Sequence, residues 1–158
     1  MKKNNLIQTS KRIIIKIGSA LLIDKEKGTL RKKWLETLAI DIFNLIRLNK
    51  EVIVVSSGSI ALGKKQLSLK NNLTLDEKQA AAATGQISLA HAWKEVMLEH
   101  GLNVAQILLA PDDTETRRKH LNARATLIKL LELGVIPVIN ENDTVATNEI
   151  RFGDNDRL

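Results

Sequence analysis

Residues 51–63 read EVIVVSSGSIALG, and the succession within them decides the fold. Val52, Ile53, Val54 and Val55 are consecutive β-branched residues, which crowd a helix but sit well on a pleated strand. An apolar run without alternation suits a parallel strand covered on both faces. It breaks into Ser-Ser-Gly-Ser and then into a helical stretch over residues 60–67. Such a turn puts N–H groups and hydroxyls at a helix start, which favours an anion. The plainer reading of the same residues is a helix capped by Ser57 or Ser59, with Gly58 making the turn.

The same alternation extends in both directions. Arg12–Ile17 (RIIIKI), Asn103–Leu109 (NVAQILL) and residues 135–140 (VIPVIN) read as further strands. Residues 32–48 place Leu35, Leu38, Ile42, Leu45 and Ile46 three and four apart, the spacing of one helix face. Thr74 to Glu77 form a capping box that opens a helix to about residue 99, with Gly101 as its stop. A further helix runs from about Arg117 to Leu133 and closes at Gly134. Strands alternating with helices predict an α/β fold with right-handed crossovers and a largely parallel sheet. No repeat or linker interrupts it, so residues 12–158 are expected to form one domain behind a basic tail of residues 1–11.

Composition narrows the function. The 158 residues include 24 Lys and Arg against 18 Asp and Glu, a formal charge of +6. A chain of this length buries ~68–70% of its unfolded surface, enough for a real core. The absence of cysteine excludes a disulfide scaffold, thiolate metal sites and cysteine nucleophiles. No apolar run reaches the ~18–20 residues that cross a bilayer, and the start lacks the apolar segment of a signal peptide, so no membrane association and a cytoplasmic location are expected. Residues 1–33 hold ten Lys and Arg against two Asp and Glu. A solvated terminus explains that excess better than a nucleic-acid surface, because aromatic residues make up only 3% of the chain.

Ligands in open α/β sheets gather at the carboxyl ends of the strands. There the chain carries KIGS (residues 16–19), SSGSIALG (56–63), APDD (110–113) and NENDT (140–144), and FGDND (152–156) follows later. Lys16 interrupts an apolar strand. A buried lysine needs an anion, so Lys16 either aims at phosphate or lies at the strand end and reaches solvent. Gly18 and Ser19 after it would let backbone N–H groups approach an anion. Ser57 is disfavoured as a hydrolytic nucleophile, since Gly-x-Ser-x-Gly is missing and His91, His100 and His120 fall within or beside helices. Asp143, Asp154 and Asp156, with Asn142 and Asn155, suit an ammonium group, Mg²⁺ or the ordering of catalytic lysines, against a plainer reading as Asx turns. Residues 80–86 (AAAATGQ) carry small side chains that suit close helix packing, and Trp34 and Trp93 read as packing residues.

The ordered series IIIKIGS, VIVVSSGSIALG, AAATGQ, LNARATL, VIPVINENDTVA and FGDND closely resembles the amino-acid kinase family, from Arg12 onward. The resemblance implies an αβα sandwich around a largely parallel sheet. It also implies phosphorylation of the L-glutamate side-chain carboxylate to L-glutamyl 5-phosphate, the first step of proline biosynthesis. ATP with Mg²⁺ would be the co-substrate complex. By the same resemblance Lys16 contacts phosphate together with Gly18, Ser19 and Gly58. Ser57, Asp143 and Asn155 bind substrate, with Asp143 facing the α-ammonium, and Asp156 orders the catalytic lysines. Ser59 stands where family members often carry alanine. The family pattern continues past GDND into a nucleotide-binding half with a second lysine. This chain is therefore expected to hold the amino-acid-binding part, truncated before the nucleotide half, with weak activity or none. The resemblance is compatible with a homo-oligomer. Alternatives are a family member with another carboxylate or phosphate acceptor, or a non-catalytic remnant that binds an amino acid or oligomerises. A nucleic-acid-binding module is the least favoured.

Overall fold

Four strands pair in parallel in the order β1-β4-β6-β5, with β1 Arg12–Ile17, β4 Glu51–Ser56, β5 Asn103–Leu109 and β6 Val135–Glu141. The computed structural model describes residues 6–24 and 26–145. Its helices are α1 Leu6–Thr9, α2 Ser19–Leu22, α3 Lys32–Arg47, α4 Ser59–Gln66, α5 Leu75–Leu98, α6 Pro111–Glu115 and α7 Arg117–Glu132. A small antiparallel pair, β2 Ile23–Asp24 and β3 Thr29–Leu30, follows α2. The strand and helix expectations hold closely, and β6 runs one residue further than expected, pairing Glu141 with Leu109. Among the described residues no helix is long and apolar enough to cross a membrane.

Helices lie on both faces of the sheet. On one face Leu35, Ala39 and Ile42 of α3 and Leu89, Trp93 and Val96 of α5 pack with Val52 and Val54 of β4 and Ile136 and Val138 of β6. Each fully buried Leu or Ile there contributes roughly 1.5–3 kcal/mol of hydrophobic stabilisation. On the other face Ile53, Val55 and Ile139 pack against Leu127 and Leu131 of α7. The alternation follows from the strand's period of two, and the register confirms it by pairing Val54 with Val138 and Val55 with Ile139.

Coverage on both faces, expected for the apolar strands generally, is met by β4 and β6 alone. Among the described residues β1 stands at the edge of the sheet, and its Ile14 is 64% exposed. An unbroken apolar run thus marks β1 as a strand but does not place it centrally. At the amino end of the sheet Lys50 donates from Nζ to the carbonyls of Gln8 and Ser10, at 2.6 and 2.7 Å, tying down the short α1.

α5 begins as its sequence predicts. The Thr74 amide donates to Glu77 Oε2 at 2.8 Å, and the Glu77 amide returns a bond to Thr74 Oγ1 at 3.4 Å. Its small residues meet α4. A Cβ on Gly63 would lie 1.7 Å from the Ala81 carbonyl oxygen, and one on Gly85 would lie 1.9 Å from that of Ser59. Neither glycine can be replaced without moving the helices apart. The contact fixes the first residue of α4 against the middle of α5, at the carboxyl edge of the sheet.

Candidate functional site

β4 delivers the chain to this edge through Ser56, which is fully buried and accepts a bond from the Trp93 indole Nε1 at 3.1 Å. Trp93 is therefore a packing residue with its one polar atom satisfied. Ser57 is half-buried, and its amide continues the β1 pairing by donating to the Ile17 carbonyl at 3.1 Å. Gly58 turns the chain with φ +118°, a conformation L side chains rarely adopt. It is also the N-cap of α4, with no side-chain cap bond. The expected serine cap is thereby corrected: the glycine turn leaves the Ser59 hydroxyl for another partner.

That partner is Asp143. Ser59 Oγ donates to Asp143 Oδ2 at 3.2 Å and accepts from Asn140 Nδ2 at 3.3 Å. Asn140 Nδ2 also donates to Gln86 Oε1 at 2.6 Å. Ser59 and Asn140 are 3% and 2% exposed, so these bonds form almost out of water, where polar partners matter most. The turn after β6 is held locally: the Asn142 amide donates to the Leu109 carbonyl at 2.8 Å, and Thr144 Oγ1 to Asn142 Oδ1 at 2.6 Å. Asn142 thus plays the turn role that its sequence allowed.

A cavity of about 240 Å³ opens on this network, walled by Ser59, Gln86, Gln106, Glu141, Asn142 and Asp143 with Ala82, Ala83, Ile87 and Leu108. Burial raises the pKa of the Asp143 carboxyl above its ordinary value, and the hydrogen bond from Ser59 opposes that rise. As at every helix start, the first N–H groups of α4 have no acceptor within the helix. The wall therefore carries the carboxyl groups of Asp143 and Glu141, which suit a cation, and the first residue of α4 adjoins them.

None of the other expected site residues lines this cavity among the described residues. Lys16 is exposed on β1, on the α7 face of the sheet at the level of Val55. Its position at an edge removes the desolvation argument made from sequence. Gly18 is extended, with φ −74° and ψ 154°, and nothing stands within 4 Å of where a side chain would begin. Ser19 lines a second cavity of about 580 Å³, between the β2–β3 pair and α4, together with Asp24, Lys27, Lys64 and Lys65. Asn155 and Asp156, with Asp154, lie outside the described residues. The structure thus brings Gly58, Ser59 and Asp143 together, with Ser57 at the adjoining strand end. Sequence reading missed Ser59 as an Asp143 partner and gave Gln86, within AAATGQ, no role in the site. The one signal for Gln86 was a polar residue closing a run of small ones.

Residues 11–158 match the sequence model described as the amino acid kinase family. A glutamate 5-kinase of Paramagnetospirillum magneticum is 60% identical over 152 residues, covering 96% of this chain and 41% of that protein. One from Rhodospirillum rubrum is 62% identical over 146 residues, covering 92% and 39%. The chain therefore spans well under half the length of these curated relatives. In structure it is similar to the isopentenyl phosphate kinase of T. acidophilum in its product complex, with TM-score 0.55, 15% identity, and 82% of this chain and 54% of that one covered. It is also similar to a UMP kinase from Bacillus anthracis, with TM-score 0.52, 18% identity, and 82% and 52% covered. At such identities the likeness shows a shared fold.

Proposed function

The chain belongs to the amino acid kinase family, and on that premise we propose that it supplies the amino-acid-binding part of an enzyme that phosphorylates the side-chain carboxylate of L-glutamate with ATP. The product would be L-glutamyl 5-phosphate, made in the cytoplasm for proline biosynthesis. The observation that carries this reading is the Asp143 carboxylate, held by Ser59 at the wall of a cavity beside the start of α4. The relatives named glutamate 5-kinase support the choice of amino acid.

Asp143 takes the α-ammonium, whose positive charge offsets the cost of ionising a half-buried carboxyl. Ser57 and Asn155 contact the rest of the amino acid. Gly58, having no side chain, lets the backbone N–H groups approach the transferring phosphoryl group, and Gly18 and Ser19, beside Lys16 in the chain, add further N–H groups. Lys16 neutralises phosphate charge and Asp156 orders the lysines. Phosphoryl transfer asks chiefly for positioning and charge stabilisation, which such residues provide without covalent work. Mg²⁺ enters with ATP. Residues 12–158 form the working domain behind the basic tail, and a homo-oligomer fits the reading.

Calorimetry with L-glutamate on wild type and Asp143→Ala tests it. Removing one member of a buried charge pair costs ~2–5 kcal/mol, so Asp143→Ala is expected to bind at least about thirtyfold more weakly. Equal binding by the two proteins rejects the assignment. Trapping of glutamyl phosphate with hydroxylamine, in the presence of ATP and Mg²⁺, is the matching test of transfer.

A further inference from the structure

We propose that Gln86 is a positioning residue of this site, the acceptor end of a polarised hydrogen-bond relay that keeps the Ser59 hydroxyl pointed at Asp143. The proposal deepens the reading of Asp143 as the ammonium partner and rests on it only in its last step.

The polarity of the relay follows from what each group can do. An ionised carboxylate only accepts, so Ser59, bonded to Asp143 Oδ2 at 3.2 Å, gives its single O–H there. Ser59 Oγ can then take part in its contact with Asn140 only as an acceptor, so Asn140 must turn its NH₂ group toward it, at 3.3 Å. The same NH₂ group meets Gln86 at 2.6 Å, and there Gln86 must present its oxygen. Each choice forces the next. Were Asn140 turned over, its oxygen would face Gln86 Oε1, and Ser59 would be drawn to donate to Asn140 instead of to Asp143. By presenting its oxygen, Gln86 favours the orientation of Asn140 in which Asp143 receives a hydrogen bond.

The fold makes Gln86 a firm anchor. Its neighbour Gly85 admits the Ser59 carbonyl oxygen to within 1.9 Å of where a Cβ would be, so α5 and α4 cannot slide at this level. Gln86 also lines the cavity, in the same wall as Ser59 and Asp143. Among the described residues lining that cavity Glu141 of β6 is the other titratable side chain; α4, α5 and β5 contribute the uncharged Ser59, Gln86 and Gln106. A hydrogen bond to the ionised form favours it, so a relay locked in this direction offsets part of the rise that burial causes in the Asp143 pKa.

The test uses Gln86→Met, which keeps length and removes the acceptor, and Gln86→Glu, which can only accept. The Asp143 carboxyl is titrated by NMR in the ligand-free chain. Gln86→Met is expected to raise its midpoint by about one pH unit, the size of a lost bond to a charged group. Gln86→Glu keeps the acceptor but adds a like charge, so it is expected to raise the midpoint by an amount that added salt reduces, whereas the rise in Gln86→Met does not depend on salt. L-glutamate affinity is then expected to fall in Gln86→Met by up to about tenfold at pH values below both midpoints and little at pH 8. An unchanged midpoint in Gln86→Met overturns the proposal, as does a rise in Gln86→Met that added salt removes. If wild type binds no L-glutamate, the reading of the site fails, while the titration still decides the role of Gln86.

Discussion

Asp143 and Lys16 are both charged residues at the sheet's carboxyl edge, and their surroundings give them opposite tests. Burial raises the Asp143 pKa, so the folded protein holds that proton more tightly than the unfolded chain does. Stability from this group is then fully present below the ordinary carboxylate range near 3.8 and is lost as pH rises through the raised value. Urea unfolding from about pH 4 to 7 should show wild type losing stability relative to Asp143→Asn; the opposite trend would mean that the carboxylate is stabilised in the empty protein. Lys16 is exposed, so Lys16→Met should change unfolding free energy by no more than ~0.5 kcal/mol. In a protein with the full length of the relatives the same change should lower kcat far more than it raises KM for L-glutamate, if the lysine acts on phosphate in the transition state. A loss of ~3 kcal/mol on unfolding would instead reveal a buried ion pair. Sequence exposed Lys16 as an anomaly in an apolar strand but could not say whether that strand was central. Ser59 was hidden for a related reason. Serine next to a helix-opening glycine is a common cap, and only the distant approach of Asp143 shows that its hydroxyl goes elsewhere.

The helices and strands themselves were legible because their signals are local. The Thr74–Glu77 box opens α5, and the three-and-four spacing of Leu35, Leu38, Ile42 and Leu45 defines α3. What the small residues of α5 pack against was not legible, since that depends on two helices meeting. Gly63 and Gly85 let α4 and α5 approach until backbone touches backbone. Gly85→Ala should therefore cost about 3 kcal/mol of stability, in the upper range of overpacking, and weaken L-glutamate binding by displacing Ser59. Thr74→Ala on the same helix removes a cap at the exposed far end and should cost only ~1 kcal/mol, leaving binding unchanged. Denaturant midpoints and calorimetry on both variants separate the two ends of α5. Similar losses of binding in each would show that the site depends on the helix as a whole and not on its contact with α4.

Across the whole molecule the order β1-β4-β6-β5 is the feature that local sequence signals could not convey, because it arises from pairings between distant segments. The order has an energetic consequence. β4 and β6 have neighbours on both sides and bury nearly every residue, so their amides should open only when the whole protein unfolds. Among the described residues β1 has one neighbour, and Arg12, Ile14 and Lys16 stand exposed on one of its faces. Its outer edge and that open face should permit partial opening well below the global free energy. Hydrogen exchange is accordingly expected to be slowest at residues 52–55 and 136–139 and clearly faster along residues 12–16. L-glutamate should slow exchange at the start of α4 and the end of β6, where the cavity lies, by roughly RT ln(1 + [L]/Kd) if it binds the folded state alone. It should leave the Lys11, Arg12 and Glu51 cluster at the amino end unaffected. Uniform protection of β1 and β4 would indicate that the sheet opens as one unit. Protection by L-glutamate confined to the amino end would place the ligand away from Asp143 altogether.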